Sequence, residues 1–118
     1  MPRKEQNIKA LDLAKRIRNI IIEKNGTDVV LLDLREHSMI TDYCLIASGT
    51  STPHLKAMLT DVVRQLKQDK VQPHRKSGVP ECGWIVIDYF DVVVHIFTHE
   101  TRNYYSIEDL WEQAPTVE

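Results

Sequence analysis

His95 and His99 form a His-x-x-x-His pair. On a helix that spacing puts both rings on one side, as a metal needs. These two sit in and just after a strongly β-prone run. On a strand they stand roughly 13 Å apart, too far to share an ion with bonds of ~2 Å. His37, His54 and His74 show no ligand spacing either. Neither a metal nor any other cofactor is expected. Asp88 and Asp91 flank a turn and could share a cation. Solvated carboxylates at a turn are the simpler reading. A basic side chain from a partner would relieve their repulsion as well as a metal.

Ser48-Gly49-Thr50-Ser51 leads out of a strand-like run into a helical one. Exposed N–H groups at such a place hold anions. The Gly-Lys-Ser/Thr ending of a P-loop is absent. A Gly-Ser turn after a strand also opens nucleotidyltransferase sites, which need an acidic pair on a nearby strand. Asp61-Val62-Val63 has no second acid and lies in a helical pattern. No Gly-x-Ser-x-Gly elbow occurs. Cys44 lies mid-strand rather than at an activating helix N-terminus. It and Cys82 read as free buried thiols of a reducing compartment. Lys70, His74, Arg75 and Lys76 make a small basic loop. It reads as a solvated edge that discourages strand pairing, with RNA contact as the alternative.

The elements that position these residues follow from hydrophobic period. Gly83 to Phe97 is the most β-prone run, broken at Asp88-Tyr89-Phe90-Asp91. It reads as a hairpin with Tyr89 and Phe90 at the tip, so that Trp84 faces His95 and Val86 faces Val93. One face then carries Trp84, Val86, Asp88, Asp91, Val93, His95 and Phe97. The other carries Ile85, Ile87, Tyr89, Val92, Val94 and Ile96. Upstream, residues 7–24 repeat at helical period through Ile8, Leu11, Ala14, Ile17 and Ile21, and Asn25-Gly26 ends the helix. Thr27–Leu34 and Asp42–Ser48 read as strands. A second helix follows, capped by Ser51 or Thr52 with Pro53 in its first turn, and runs to about Lys70. Val71–Lys76 reads as a short edge strand and Ser77–Glu81 as a loop. Ser106-Ile107-Glu108-Asp109 resembles a capping box that starts a short last helix. The tail from Ala114 is expected to fray.

The result is an α/β domain spanning residues 1–118, ordered over about 7–112. It is a five-stranded mixed sheet with two main helices on one face. With 118 residues, a net charge of −2 and 42% apolar residues, broad electrostatic binding to nucleic acid is not expected. No apolar stretch approaches the ~20 residues of a membrane span. The N-terminal residues lack the apolar core of a signal peptide. A cytoplasmic protein is expected. Two long helices cover one face of five strands, not two. The Trp84, His95 and Phe97 face is therefore left partly open. An apolar patch rimmed by charge marks a protein-binding surface.

Several motifs together resemble the ribosomal silencing factor family (RsfS, also called Iojap). They are Ser38-x-Ile-Thr-Asp-Tyr43, then Ala47-Ser-Gly-Thr-Ser51 opening a helix, then Gly83-Trp84. Asp88-Tyr-x-Asp-Val-Val-Val-His-Ile-Phe97 and Glu100-x-Arg-x-Tyr-Tyr-Ser-Ile-Glu-Asp-Leu-Trp111 complete the set. One departure is Phe90, where the family commonly has glycine. The resemblance implies a nucleotidyltransferase-like fold without catalytic acids, and so a non-enzyme. It implies docking on large-subunit ribosomal protein fourteen, which blocks small-subunit joining and represses translation under nutrient limitation. It also implies self-association as homodimers; minor rRNA contact is the alternative reading of the basic loop at Lys70, His74, Arg75 and Lys76. Trp84, Phe97 and Tyr43 are the expected apolar anchors, with His95 on the same face as the first two. Asp42, Asp88, Asp91 and Glu100 are expected to meet basic groups. Arg102, counted with them, is expected to orient a neighbouring acid. The alternative is a nucleotidyltransferase-like enzyme using Asp88 and Asp91 with magnesium.

Overall fold

The structure, a computed structural model, describes residues 3–118, with side chains from residue 9 onward. Ile8 of the expected helical stripe lies outside the described side chains. The elements run α1 (Arg3–Glu23), β1 (Thr27–Asp33), β2 (Tyr43–Gly49), α2 (Thr52–Gln68), β3 (Arg75–Val79), β4 (Trp84–Asp88), β5 (Val92–Thr98) and α3 (His99–Tyr105). Short 3-10 turns occupy Pro80–Cys82 and Ile107–Trp111. The sheet order is β1-β2-β5-β4-β3. Among the described strands only β2 and β5 pair in parallel. This is the expected five-stranded mixed α/β sheet.

The aliphatic face of the hairpin decides where the helices lie. Ile85, Ile87, Tyr89, Val92, Val94 and Ile96 are all buried, under Ala14, Ile17 and Ile21 of α1 and Leu55, Met58, Val62 and Leu66 of α2. Each large apolar side chain gains roughly 1.5–3 kcal/mol on full burial. That outweighs any single cap at about 1 kcal/mol. The caps then set the ends. Ser51 Oγ accepts the His54 N–H at 3.2 Å at the start of α2. After α1, Asn25 takes the left-handed turn at φ 64°. Gly26 is needed for closeness instead: a Cβ there would meet Ile21 Cγ2 at 2.4 Å.

The hairpin register differs from expectation. Trp84 pairs with Phe97, Val86 with His95 and Asp88 with Val93. The loop residues are Phe90 and Asp91, closed by the Tyr89 N–H donating to Val92 O at 2.9 Å. The slip is two residues, so both faces keep their members. Phe90 accepts φ 69°, and its N–H donates to Asp88 Oδ1 at 2.8 Å. That local bond holds a turn that residue preference alone disfavours.

Three further expectations are corrected. The edge strand is Arg75–Val79, not Val71–Lys76. Gly78 permits it, because its φ is 77° and a Cβ would meet Trp84 O at 2.2 Å. Ser106 ends α3 and also opens the expected last helix, the 3-10 turn Ile107–Trp111, but its side chain makes no capping-box bond. Helix α3 is capped by Thr98 Oγ1, which accepts from Thr101 N–H at 3.4 Å, and stops where Ser106 turns left-handed at φ 47°. None of its residues is buried, so no hydrophobic period announces it. The tail does not fray. Asp33 N–H donates to Pro115 O at 2.9 Å and Val117 N–H to Leu31 O at 2.8 Å, which lines the outer edge of β1.

Candidate functional site

The second face of the sheet divides in two. On the β1–β2–β5 side, Leu32, Leu34, Cys44, Ile46 and Phe97 are buried beneath Ile107, Trp111 and Ala114. The chain's last segment seals this half. Burial pushes the Cys44 thiol up to about 12. Cys82 is exposed, which corrects the expectation of two buried thiols. On the β5–β4–β3 side the cover stops. Trp84, Val86, Asp88, Val93 and His95 are only partly buried.

Trp84 is the centre of the open half. Its ring stacks on Phe97 at 5.1 Å and meets Tyr105 at 4.7 Å. Its indole N–H donates to His95 Nδ1 at 3.2 Å. An acceptor Nδ1 requires the ring proton on Nε2. Burial lowers the His95 imidazole to about 4, so it stays neutral and can accept. Ser77, Gly78, Cys82, Trp84, Val86 and Tyr105 line a hollow of about 310 Å³. Tyr105 extends the aromatic surface to Tyr104, edge to face at 4.9 Å. Tyr104 is 80% exposed and Tyr105 is half exposed. Both lie at the end of α3, a helix with no buried residue, so sequence pattern did not single them out as surface.

Several expected contact residues have no surface to offer. Phe97 is fully buried beneath Trp84 and the C-terminal segment. Tyr43 points to the helix side and is core. Asp42 is buried beside it. Its N–H and that of Tyr43 both donate to Asp91 O at 3.0 Å. These three expectations are therefore corrected: side chains covered by the chain's own segments leave no surface for a partner. Arg102 is likewise turned inward, its side chain 10% exposed. Its guanidinium grips Glu108 at 2.8 and 3.1 Å, Ser48 Oγ at 2.8 Å and Asp28 O at 2.7 Å. It orients an acid, as expected, and holds Glu108 below the usual carboxylate range.

Trp84 and His95 lie together on the open face. Asp88 and Asp91 lie at the hairpin tip, and Glu100 lies beyond the other end of β5. Asp91 and Glu100 are exposed and Asp88 is half-buried. Among the described residues no three His, Cys, Asp or Glu side chains converge as metal ligands. His99 lies 4.0 Å from Asp28 instead. Met39 and Ile40, 95% and 90% exposed, were missed. Ser38 Oγ accepts the Ile40 N–H at 3.1 Å and fixes that loop. Two apolar residues inside a polar connection are the signal that could have found them. No helix among the described residues is long and apolar enough to cross a membrane.

The chain has close relatives. The family described as "Ribosomal silencing factor during starvation" matches residues 6–118. The Ribosomal silencing factor RsfS of Halalkalibacterium halodurans is 35% identical over 100 residues, covering 85% of this chain and 86% of that protein. The Bacillus subtilis protein of the same name is 33% identical over 96 residues, 81% of each chain. A Chromobacterium violaceum crystal structure superposes with a TM-score of 0.83 at 28% identity, covering 86% of this chain and 85% of that one. Motif order, sheet topology and these matches agree: the chain belongs to the ribosomal silencing factor family.

Proposed function

We propose that this protein is a ribosome-associated repressor of translation that docks on the large subunit through large-subunit ribosomal protein fourteen. Once docked, it keeps the small subunit from joining. The observation that carries the reading is the open half-face around Trp84, a connected aromatic surface beside an apolar hollow. Asp91 and Glu100 are exposed beyond the two ends of β5, where basic side chains of a ribosomal protein would meet them. A standard contact takes about 800 Å² per partner, roughly a ninth of this chain's 7134 Å². The body measures 40 × 34 × 24 Å. A body of that size needs no chemistry to block a joint between two larger surfaces. It needs only tight, specific placement. Large-subunit ribosomal protein fourteen comes from the family resemblance, and the half-face supplies the surface it would use.

The test is Trp84→Ala, followed by co-sedimentation with large subunits on a sucrose gradient. A central aromatic anchor costs about 2 kcal/mol or more when truncated, so co-migration should be lost while circular dichroism stays native. Tyr105→Ala, on an exposed ring, guards against unfolding of the first variant. If both variants stay folded and still travel with large subunits, this face is not the docking surface.

A further inference from the structure

Phe90 is the side chain that the fold and the docking face explain least. It is 60% exposed. It also holds φ at 69°, a region where glycine is unstrained and a side chain is not. Such strain persists only where the surroundings over-determine it, and it gathers at functional places. Here the surroundings are specific. The Phe90 N–H donates to Asp88 Oδ1 at 2.8 Å, and the Asp91 N–H to Tyr89 O at 2.9 Å. The His74 ring lies 4.0 Å from the Phe90 ring, tilted by 32°. The His74 backbone is itself tied to Asp88 O at 2.7 Å. One side of the Phe90 ring is thus backed by His74, and the exposed remainder is held out rigidly.

The segment that runs beside the tip is basic. Residues 70–80 hold Lys70, Arg75 and Lys76 and no carboxylate. All three cations are exposed. Arg75 stands opposite Asp88 in the β3–β4 ladder, so the basic strand begins beside the tip. Two carboxylates, Asp88 and Asp91, share the tip. Asp88 is half-buried and spends one oxygen on the Phe90 N–H. Asp91 is exposed. Cations beside an exposed, backed aromatic ring fit a chain that is anionic along its backbone and flat along its bases.

We propose that the hairpin tip is a contact for single-stranded RNA. A nucleobase stacks on the open side of Phe90, and Arg75 and Lys76 take the flanking phosphates. Stacking of this kind tolerates any base, because every base has a π-face. Trp84 lies at the other end of β4. The tip shares Asp91 with the docking reading, but the RNA contact rests on Phe90, Arg75 and Lys76, which that reading does not use. On a ribosome the factor would rest on protein at one end of the strand and on RNA at the other.

The experiment uses the full chain and a short fluorescein-labelled oligoadenylate, followed by fluorescence anisotropy across a salt series. The intact protein should bind, more weakly as salt rises. Phe90→Gly keeps the turn, since glycine suits its φ, and should bind about tenfold more weakly. Arg75→Gln with Lys76→Gln should also weaken binding and flatten the salt dependence. No binding by the intact chain at low salt overturns the proposal. So does a Phe90→Gly affinity equal to the parent's. A duplex of the same sequence that competes equally also overturns it, because paired bases cannot stack on the ring. If Phe90→Gly weakens only the capture of the isolated ribosomal protein, the tip is a protein contact instead.

Discussion

The Trp84 indole N–H donates to Nδ1 of His95 at 3.2 Å, on the diagonal of the hairpin and not across a pair. The bond joins the largest ring of the open half-face to a base that must stay neutral to accept it. Docking surface and proton chemistry therefore meet in one contact.

A pH dependence follows. Burial lowers His95 from its ordinary 6.5 to about 4. The unfolded chain takes up the proton first, so stability is full above pH 6.5 and falls as pH drops toward 4. At about 1.4 kcal/mol per unit, the whole loss approaches about 3 kcal/mol. Carboxylates contribute to acid unfolding as well, so the comparison is with His95→Gln. Urea melts at a series of pH values should show a shallower decline in the variant between those limits. Equal slopes would remove His95 as the cause.

Arg102 predicts a second outcome. Its fork joins α3, the 107–111 turn and the β1–β2 end of the sheet. Arg102→Ala should cost about 2 kcal/mol, the scale of hydrogen bonds to charged groups. It should also loosen the segment that covers Cys44. In the parent, a thiol reagent should titrate Cys82 quickly and leave Cys44 untouched. In Arg102→Ala a second thiol should react, and in Arg102→Lys at an intermediate rate. A variant that keeps Cys44 protected would show that Ile107 and Trp111 hold the cover without the fork.

Phe90 predicts a gain. Glycine at φ 69° relieves strain of about 1 kcal/mol and loses only the His74 contact and some unfolded-state stiffness. Phe90→Gly should therefore match or exceed the parent in thermal stability, by up to about 1 kcal/mol. A lower melting temperature would mean that the ring packs more than its exposure suggests.

What could be read from the sequence, and what could not, has a physical pattern. The alternation from Ile85 to Ile96 survives a two-residue slip, so the covered face was legible while the register was not. Ser51 acts locally and was legible as a cap. The expectation for Arg102 came from the family resemblance and not from pattern, and its guanidinium grips Glu108. Arg75–Val79 has no buried residue, and neither has α3. Patterns of burial cannot announce elements that bury nothing. The resemblance made Phe97 and Tyr43 look like anchors, because a motif shows an aromatic ring but not what lies above it. The cover over Phe97 comes from residues 107–114, just past α3, and only the turn the chain makes there folds it back over the sheet.

The parallel seam between β2 and β5 has one more implication, for the order of assembly. Every residue of β2 is buried, yet its inner neighbour begins only at Val92. A nascent chain on its way out of a ribosome must carry that greasy ribbon with one flank bare until most of the polypeptide has emerged. The β4–β5 unit then arrives as a wedge that completes the middle of the sheet. Slow, long-range closure of this kind makes the half-made molecule, more than the finished one, the form in need of a chaperone.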